Sequence, residues 1–156
     1  MSASDEMTKE TEARVAGLPT LRLSRVFDAP RRLVFAAWSK AEIVSRWFAP
    51  APLSTHSCEV DLRPGGVFRL IMRTPDGVDF PMEGRFEEVV PPERIVFSAE
   101  IHGGNMVSTV VTFTEEAGKT RLDVCQTFSF ESDATRGAPA GWAKTLDQLG
   151  ENIPPA

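Results

Sequence analysis

Between residues 53 and 130 the chain runs as six short apolar-rich segments, each but the last closed by a proline or glycine turn. Leu53–Leu62 ends at Arg63-Pro64-Gly65-Gly66, Val67–Arg73 at Pro75-Asp76-Gly77, and Phe80–Val90 at Pro91-Pro92. Arg94–His102 ends at Gly103-Gly104-Asn105, Met106–Glu115 at Ala117-Gly118, and Thr120–Phe130 completes the series. Turns this short join antiparallel strands, because a parallel pair needs a crossover of a dozen residues or more. A six-stranded antiparallel meander is therefore expected.

Some of these strands disclose an inner face. Phe68, Leu70 and Met72 alternate with Val67, Arg69, Ile71 and Arg73, and Leu122, Val124, Phe128 and Phe130 alternate with Arg121, Asp123, Thr127 and Ser129. The Met106 strand is apolar on both parities, so its period does not orient it. Upstream, Thr20–Phe27 reads as a further strand with Leu21, Leu23 and Phe27 on one side. Arg25 falls on that same parity, which suits a buried stem with a solvated or paired charge.

Two short helices follow that first strand. Pro30 suits a first helical position, and Leu33, Val34, Ala37 and Trp38 make one apolar face. Ser39-Lys40-Ala41-Glu42 has the form of a capping box and restarts a second helix carrying Ile43, Val44 and Trp47, ended by Pro50 and Pro52. The last element begins after Asp133, with Pro139 as a candidate first turn. Trp142, Leu146, Leu149 and Ile153 then form one continuous helical stripe. Its natural partner is the apolar face of the sheet, which gives an α+β layer architecture.

Residues 1–18 are polar and of mixed charge, without the basic start and apolar core of a signal peptide. They are expected to be a flexible leader to one domain over residues 19–156. Cys58 and Cys125 form no disulfide framework and no CxxC motif, which suits two reduced thiols in a cytoplasmic protein. With 17 Lys+Arg against 22 Asp+Glu, the net charge of −5 argues against a broad nucleic-acid surface. No apolar run approaches the ~20 residues of a membrane-spanning helix. Ten Phe and three Trp stand beside no Tyr at all, so no phenol is available to line a site or to act as an acid.

The motifs Arg25-Val26-Phe27-Asp28-Ala29-Pro30, Val34-Phe35-Ala36-Ala37-Trp38 and Arg46-Trp47-Phe48-Ala49-Pro50 come in a telling order. Asp61-Leu62-Arg63-Pro64-Gly65-Gly66, Pro91-Pro92-Glu93-Arg94-Ile95 and Gly141-Trp142 with Leu146 and Leu149 continue it. Together, over residues 20 to 153, they resemble the helix-grip fold of the START/Bet v 1-like superfamily. Their wording is similar to the subgroup named after the C-terminal domain of the Hsp90 ATPase activator. The resemblance implies a curved sheet wrapped around the long C-terminal helix, with a cavity between them that family members use for lipids, hormones or polyketides. Some members carry ligands and some cyclise polyketides.

Within such a cavity the expected aromatic lining is Trp38, Trp47, Phe68, Phe97, Phe128 and Trp142. Leu70, Met72, Met82 and Leu146 complete the apolar wall, although all of these residues also suit plain core packing. Gln126 is the one polar residue on the Leu122–Phe130 face, so it either orients a ligand or is satisfied by backbone or water. His56 and Cys58, two apart on a strand, share a face by parity. They read either as a cavity pair able to hold a soft metal or activate a thiolate, or as a buried thiol beside a hydrogen-bonded histidine. His102, next to Gly103-Gly104, is expected at an exposed turn, and Glu83 on an exposed parity unless Gly84 introduces a bulge.

The leading expectation is thus a small cytoplasmic binding protein for an apolar, aromatic or lipid-like molecule, with no cofactor, no metal, no nucleic acid and no membrane as partner. Gln126 and His56 would fix ligand orientation. A cyclase-like or hydrolase-like enzyme with His56 as base is the alternative. An Hsp90 homologue and a homodimer stand behind it as further partner expectations.

Overall fold

The computed structural model describes residues 17–156, so all of the expected leader except Gly17 and Leu18 lies outside the described residues. The strands are β1 (Thr20–Phe27), β2 (Ser54–Val60), β3 (Val67–Arg73), β4 (Asp79–Val90), β5 (Arg94–Glu100), β6 (Met106–Glu116) and β7 (Lys119–Phe128). They form one antiparallel sheet in the order β1-β7-β6-β5-β4-β3-β2. The meander is continuous from β2 to β7, and β1 closes onto β7 with Leu23 opposite Val124 and Arg25 opposite Leu122. The turn between β6 and β7 is a two-residue one, with Ala117 at φ 51° and Gly118 at φ 79°. Two consecutive positive φ values match the right-handed twist of the flanking strands.

Helices α1 (Arg31–Ala36) and α2 (Ala41–Trp47) follow β1, and α3 (Asp133–Glu151) follows β7. The helices and sheet share a core that includes Val34, Trp38, Trp47, Phe68, Phe97 and Leu146. Rings connect the layers: Trp38 meets Trp47 edge-on at 4.8 Å, Phe48 meets Phe68 at 5.3 Å, and Phe68 stacks on Phe86 at 4.8 Å. On β6, Val107, Val111 and Phe113 face this core, while Val110 joins Val96 and Cys125 in a separate small cluster. Arg25 reaches inward as its parity requires, pairs with Asp147 of α3 and donates to the Ala143 carbonyl at 3.3 Å.

Three local expectations change. Ser39 caps nothing: its hydroxyl donates to the Ala36 carbonyl at 2.6 Å, because the chain is still turning out of α1, and α2 starts with no side-chain cap. The capping box of the chain lies at α3, where Ser132 Oγ accepts from the Ala134 amide at 3.2 Å and the Ser132 amide donates to Thr135 Oγ1 at 2.9 Å. That box starts α3 well before Pro139, which sits inside the helix on its exposed side and removes the donor the Thr135 carbonyl would otherwise receive. Phe130 lies past the end of β7 and is 45% exposed, so the β7 face ends at Phe128. Among the described residues no helix is long and apolar enough to cross a membrane.

Candidate functional site

The two halves of α3 do different work. Its C-terminal half is fastened to α2 by side chains reaching free backbone groups. Thr145 Oγ1 donates to the Phe48 carbonyl at 2.9 Å, and Gln148 Nε2 donates to the carbonyls of Trp47 (2.9 Å) and Ala49 (2.8 Å). Gln148 Oε1 accepts from the Ala51 amide at 2.9 Å, and Leu146 and Leu149 are fully buried beneath. Its N-terminal half presents small residues instead: Ala134, Gly137, Ala138 and Gly141 recur at helical spacing on one face. Side chains this short leave space between helix and sheet.

That space is a cavity of about 330 Å³. Its sheet wall includes Met72, Met82, Phe97, Val107 and Phe128, and Phe48, Pro50 and Leu53 close one side. Trp142 and Thr145 stand on the helix side. Phe80 and His102 sit where the cavity opens, their rings edge to face at 5.2 Å. His102 occupies the expected exposed turn, a single 3-10 turn after β5, and it also borders the opening. Among the described residues it is the one titratable group in the lining.

Beside the buried Thr145, the lining carries Gln126, only 7% exposed. It projects from β7 between Val124 and Phe128 on the inner parity. Its Nε2 donates to Thr109 Oγ1 of β6 at 2.8 Å, and its Oε1 accepts from Trp142 Nε1 of α3 at 3.0 Å. One amide thus joins two strands and the long helix inside an apolar wall.

Of the residues expected from sequence, Met72, Met82, Phe97, Gln126, Phe128 and Trp142 line this cavity. Trp38, Trp47, Phe68, Leu70 and Leu146 do not; each is fully buried in the core. His56 is also outside it. The β2–β3 ladder pairs Thr55 with Met72 and then Ser57 with Ile71, so His56 is a bulged extra residue. The bulge reverses parity, leaving Cys58 half-buried and His56 exposed, and the two do not share an inward face. Burial pushes the Cys58 thiol up to about 11, which is inert rather than activated. Glu83 is exposed and paired with Arg69 at 2.8 Å. The Asp79 carboxyl, held below its ordinary range chiefly by its hydrogen bond from Arg73, is likewise exposed. Among the described residues no three of His, Cys, Asp and Glu gather where an ion could be held.

Ala134, Gly137 and Ala138 of α3 and the ring of Phe80 were not among the residues singled out from sequence, and Gly141 entered only as part of a family motif. Ala134, Gly137, Ala138 and Gly141 do continue the Trp142 face toward the N-terminus, so the signal was a run of missing side chains. A hydrophobicity stripe does not register it.

The family described as Activator of Hsp90 ATPase homolog 1-like protein matches residues 28–153. Among solved structures, a protein of Nitrosomonas europaea is similar at 29% identity and a TM-score of 0.76, covering 88% of this chain and 95% of that one. A protein of Chromobacterium violaceum is similar at 25% identity and a TM-score of 0.81, over 88% and 99% of the two chains. No curated protein matches the chain.

Proposed function

The chain belongs to the family of Activator of Hsp90 ATPase homolog 1-like proteins, and on that premise we propose that it is a binding protein for an apolar small molecule held between the sheet and α3. The observation that carries this reading is the cavity of about 330 Å³, apolar on nearly every side, with a glutamine set into its wall and held there by Thr109 and Trp142. Sites for small molecules have this size and this pattern, mostly hydrophobic with few placed polar groups. Affinity would derive from apolar area removed from water, at ~25 cal/mol per Å².

The enzyme alternative takes His56 as its base, and His56 stands exposed and outside the cavity; among the described residues the titratable group of the lining is His102, at its exposed turn. A chaperone partner rests on the family description alone.

Native mass spectrometry of protein purified from its own host tests the binding reading. A reproducible adduct, displaced when the protein is exchanged with an apolar competitor that also raises the melting temperature, is the expected result. Protein that is consistently empty and shows no thermal shift across an apolar ligand library overturns it.

A further inference from the structure

An indole N–H can only donate, so the atom of Gln126 that faces Trp142 Nε1 is fixed as the carbonyl oxygen Oε1. This turns Nε2 toward Thr109, whose hydroxyl accepts at 2.8 Å. A primary amide has two N–H donors and two acceptor sites. The two bonds consume one of each, leaving one N–H and one lone pair without a partner among the described residues, on a side chain in the cavity lining. The neighbouring hydroxyl of Thr145 already donates to the Phe48 carbonyl. Among the described residues no charged group accompanies Gln126 inside; His102 is at the opening.

We infer that the cavity selects an uncharged apolar ligand with a single carbonyl or hydroxyl at its buried end, read by Gln126 in an orientation that Trp142 and Thr109 fix. This inference rests on the reading of the cavity as a ligand site. A ligand carbonyl takes the spare N–H, and a ligand hydroxyl can also give its proton to the spare lone pair. A pure hydrocarbon meets neither, and a buried polar group left without a partner costs binding. A carboxylate entering the same end finds no cation to offset its desolvation. Trp142 and Thr109 act here as positioning residues, since each acts on the ligand through the amide.

Three probes of one shape separate these cases: 2-acetylnaphthalene, 2-ethylnaphthalene and 2-naphthoate, titrated against the full chain at pH 8 by tryptophan fluorescence. The ketone should bind roughly fivefold tighter than the ethyl compound, although the latter is the more apolar, and more than tenfold tighter than the ionised acid. In Gln126→Leu the order of ketone and ethyl compound should invert, with the ethyl compound binding at least as tightly as before. Equal binding of ketone and ethyl compound by the wild type, or naphthoate binding as tightly as the ketone, overturns the ligand class while leaving the cavity reading intact. Failure of all three probes together with empty protein from the host removes the cavity reading itself. Should Gln126→Leu not fold, the order of the three probes on the wild type decides alone.

Discussion

Replacing Gly137 by leucine should close the cavity and stabilise the protein at the same time. Glycine inside a helix costs about 0.8–1 kcal/mol relative to alanine, and leucine is nearly as good a helix former as alanine. Gly137 lies within α3 at an ordinary helical φ, and a Cβ placed there meets no heavy atom within 4 Å. A Cβ there therefore costs nothing in overpacking. If about half of the new side chain is buried against the cavity wall, another ~1 kcal/mol follows, for a total near 1–2 kcal/mol. For a chain of this size that raises the melting temperature by about 2–8 °C. The same atoms occupy space a ligand would need, so affinity for 2-acetylnaphthalene should fall by more than tenfold. Gly137→Ala separates the two effects, keeping most of the stability gain while leaving most of the cavity open. Thermal and urea unfolding with a fluorescence titration reads both quantities. A leucine variant less stable than the wild type refutes the claim that α3 stands off the sheet here. A variant that is more stable yet binds the probe unchanged refutes the claim that ligand occupies the space beside α3.

Three other outcomes are expected. Leu146→Ala removes a fully buried side chain in the fastened half of α3 and should lower stability by about 2–5 kcal/mol in urea unfolding. Ser132→Ala removes the oxygen that accepts from the Ala134 amide and from Asn105 Nδ2, and should cost about 1 kcal/mol. With its thiol raised to about 11 from an ordinary 9.0, Cys58 should resist alkylation by iodoacetamide at pH 8. Because the folded value is the higher one, its contribution to stability is whole below pH 9 and is lost as pH rises through 11. Stability of the wild type should therefore fall more over that interval than stability of Cys58→Ser, and equal slopes would show the thiol to be no more buried in the folded state.

The strands were readable because each is bounded by residues with a backbone reason to turn, and because a period of two survives wherever the ladder is unbroken. Phe68, Leu70 and Leu122 are buried as their parity requires. His56 shows the limit of that rule. One extra residue between Thr55 and Ser57 shifts the side on which everything before it falls, and nothing in Ser-Thr-His-Ser announces the bulge. The capping box fails in a similar way. Ser39-Lys40-Ala41-Glu42 has the right letters, but Trp38 and Ser39 still donate to Phe35 and Ala36, so the serine belongs to the preceding turn. Ser132-Asp133-Ala134-Thr135 has a threonine where the motif looks for Glu or Gln, yet makes both bonds.

The cavity was legible only in part because it is made by what α3 lacks. Hydrophobicity marks Trp38, Trp47, Phe68 and Trp142 alike as buried aromatics, and all four are buried. What separates them is the clamp of Thr145 and Gln148 on the chain at Trp47–Ala51, which draws one half of the helix tight against α2. Trp38, Trp47 and Phe68 fall on that side and pack ring on ring. Trp142 stands at the boundary, touching Phe48 at 5.9 Å and giving its N–H to Gln126 across the gap. Beyond it the helix offers only glycine and alanine to the sheet, and the two surfaces separate. Gly137 and Gly141 stand inside a helix that alanine at either position would favour by about 0.8–1 kcal/mol of intrinsic propensity. Set beside a wall of phenylalanine and methionine, with Gln126 held by Trp142 and Thr109 and no tyrosine anywhere in the sequence, they support the apolar binding site we propose over a filled core.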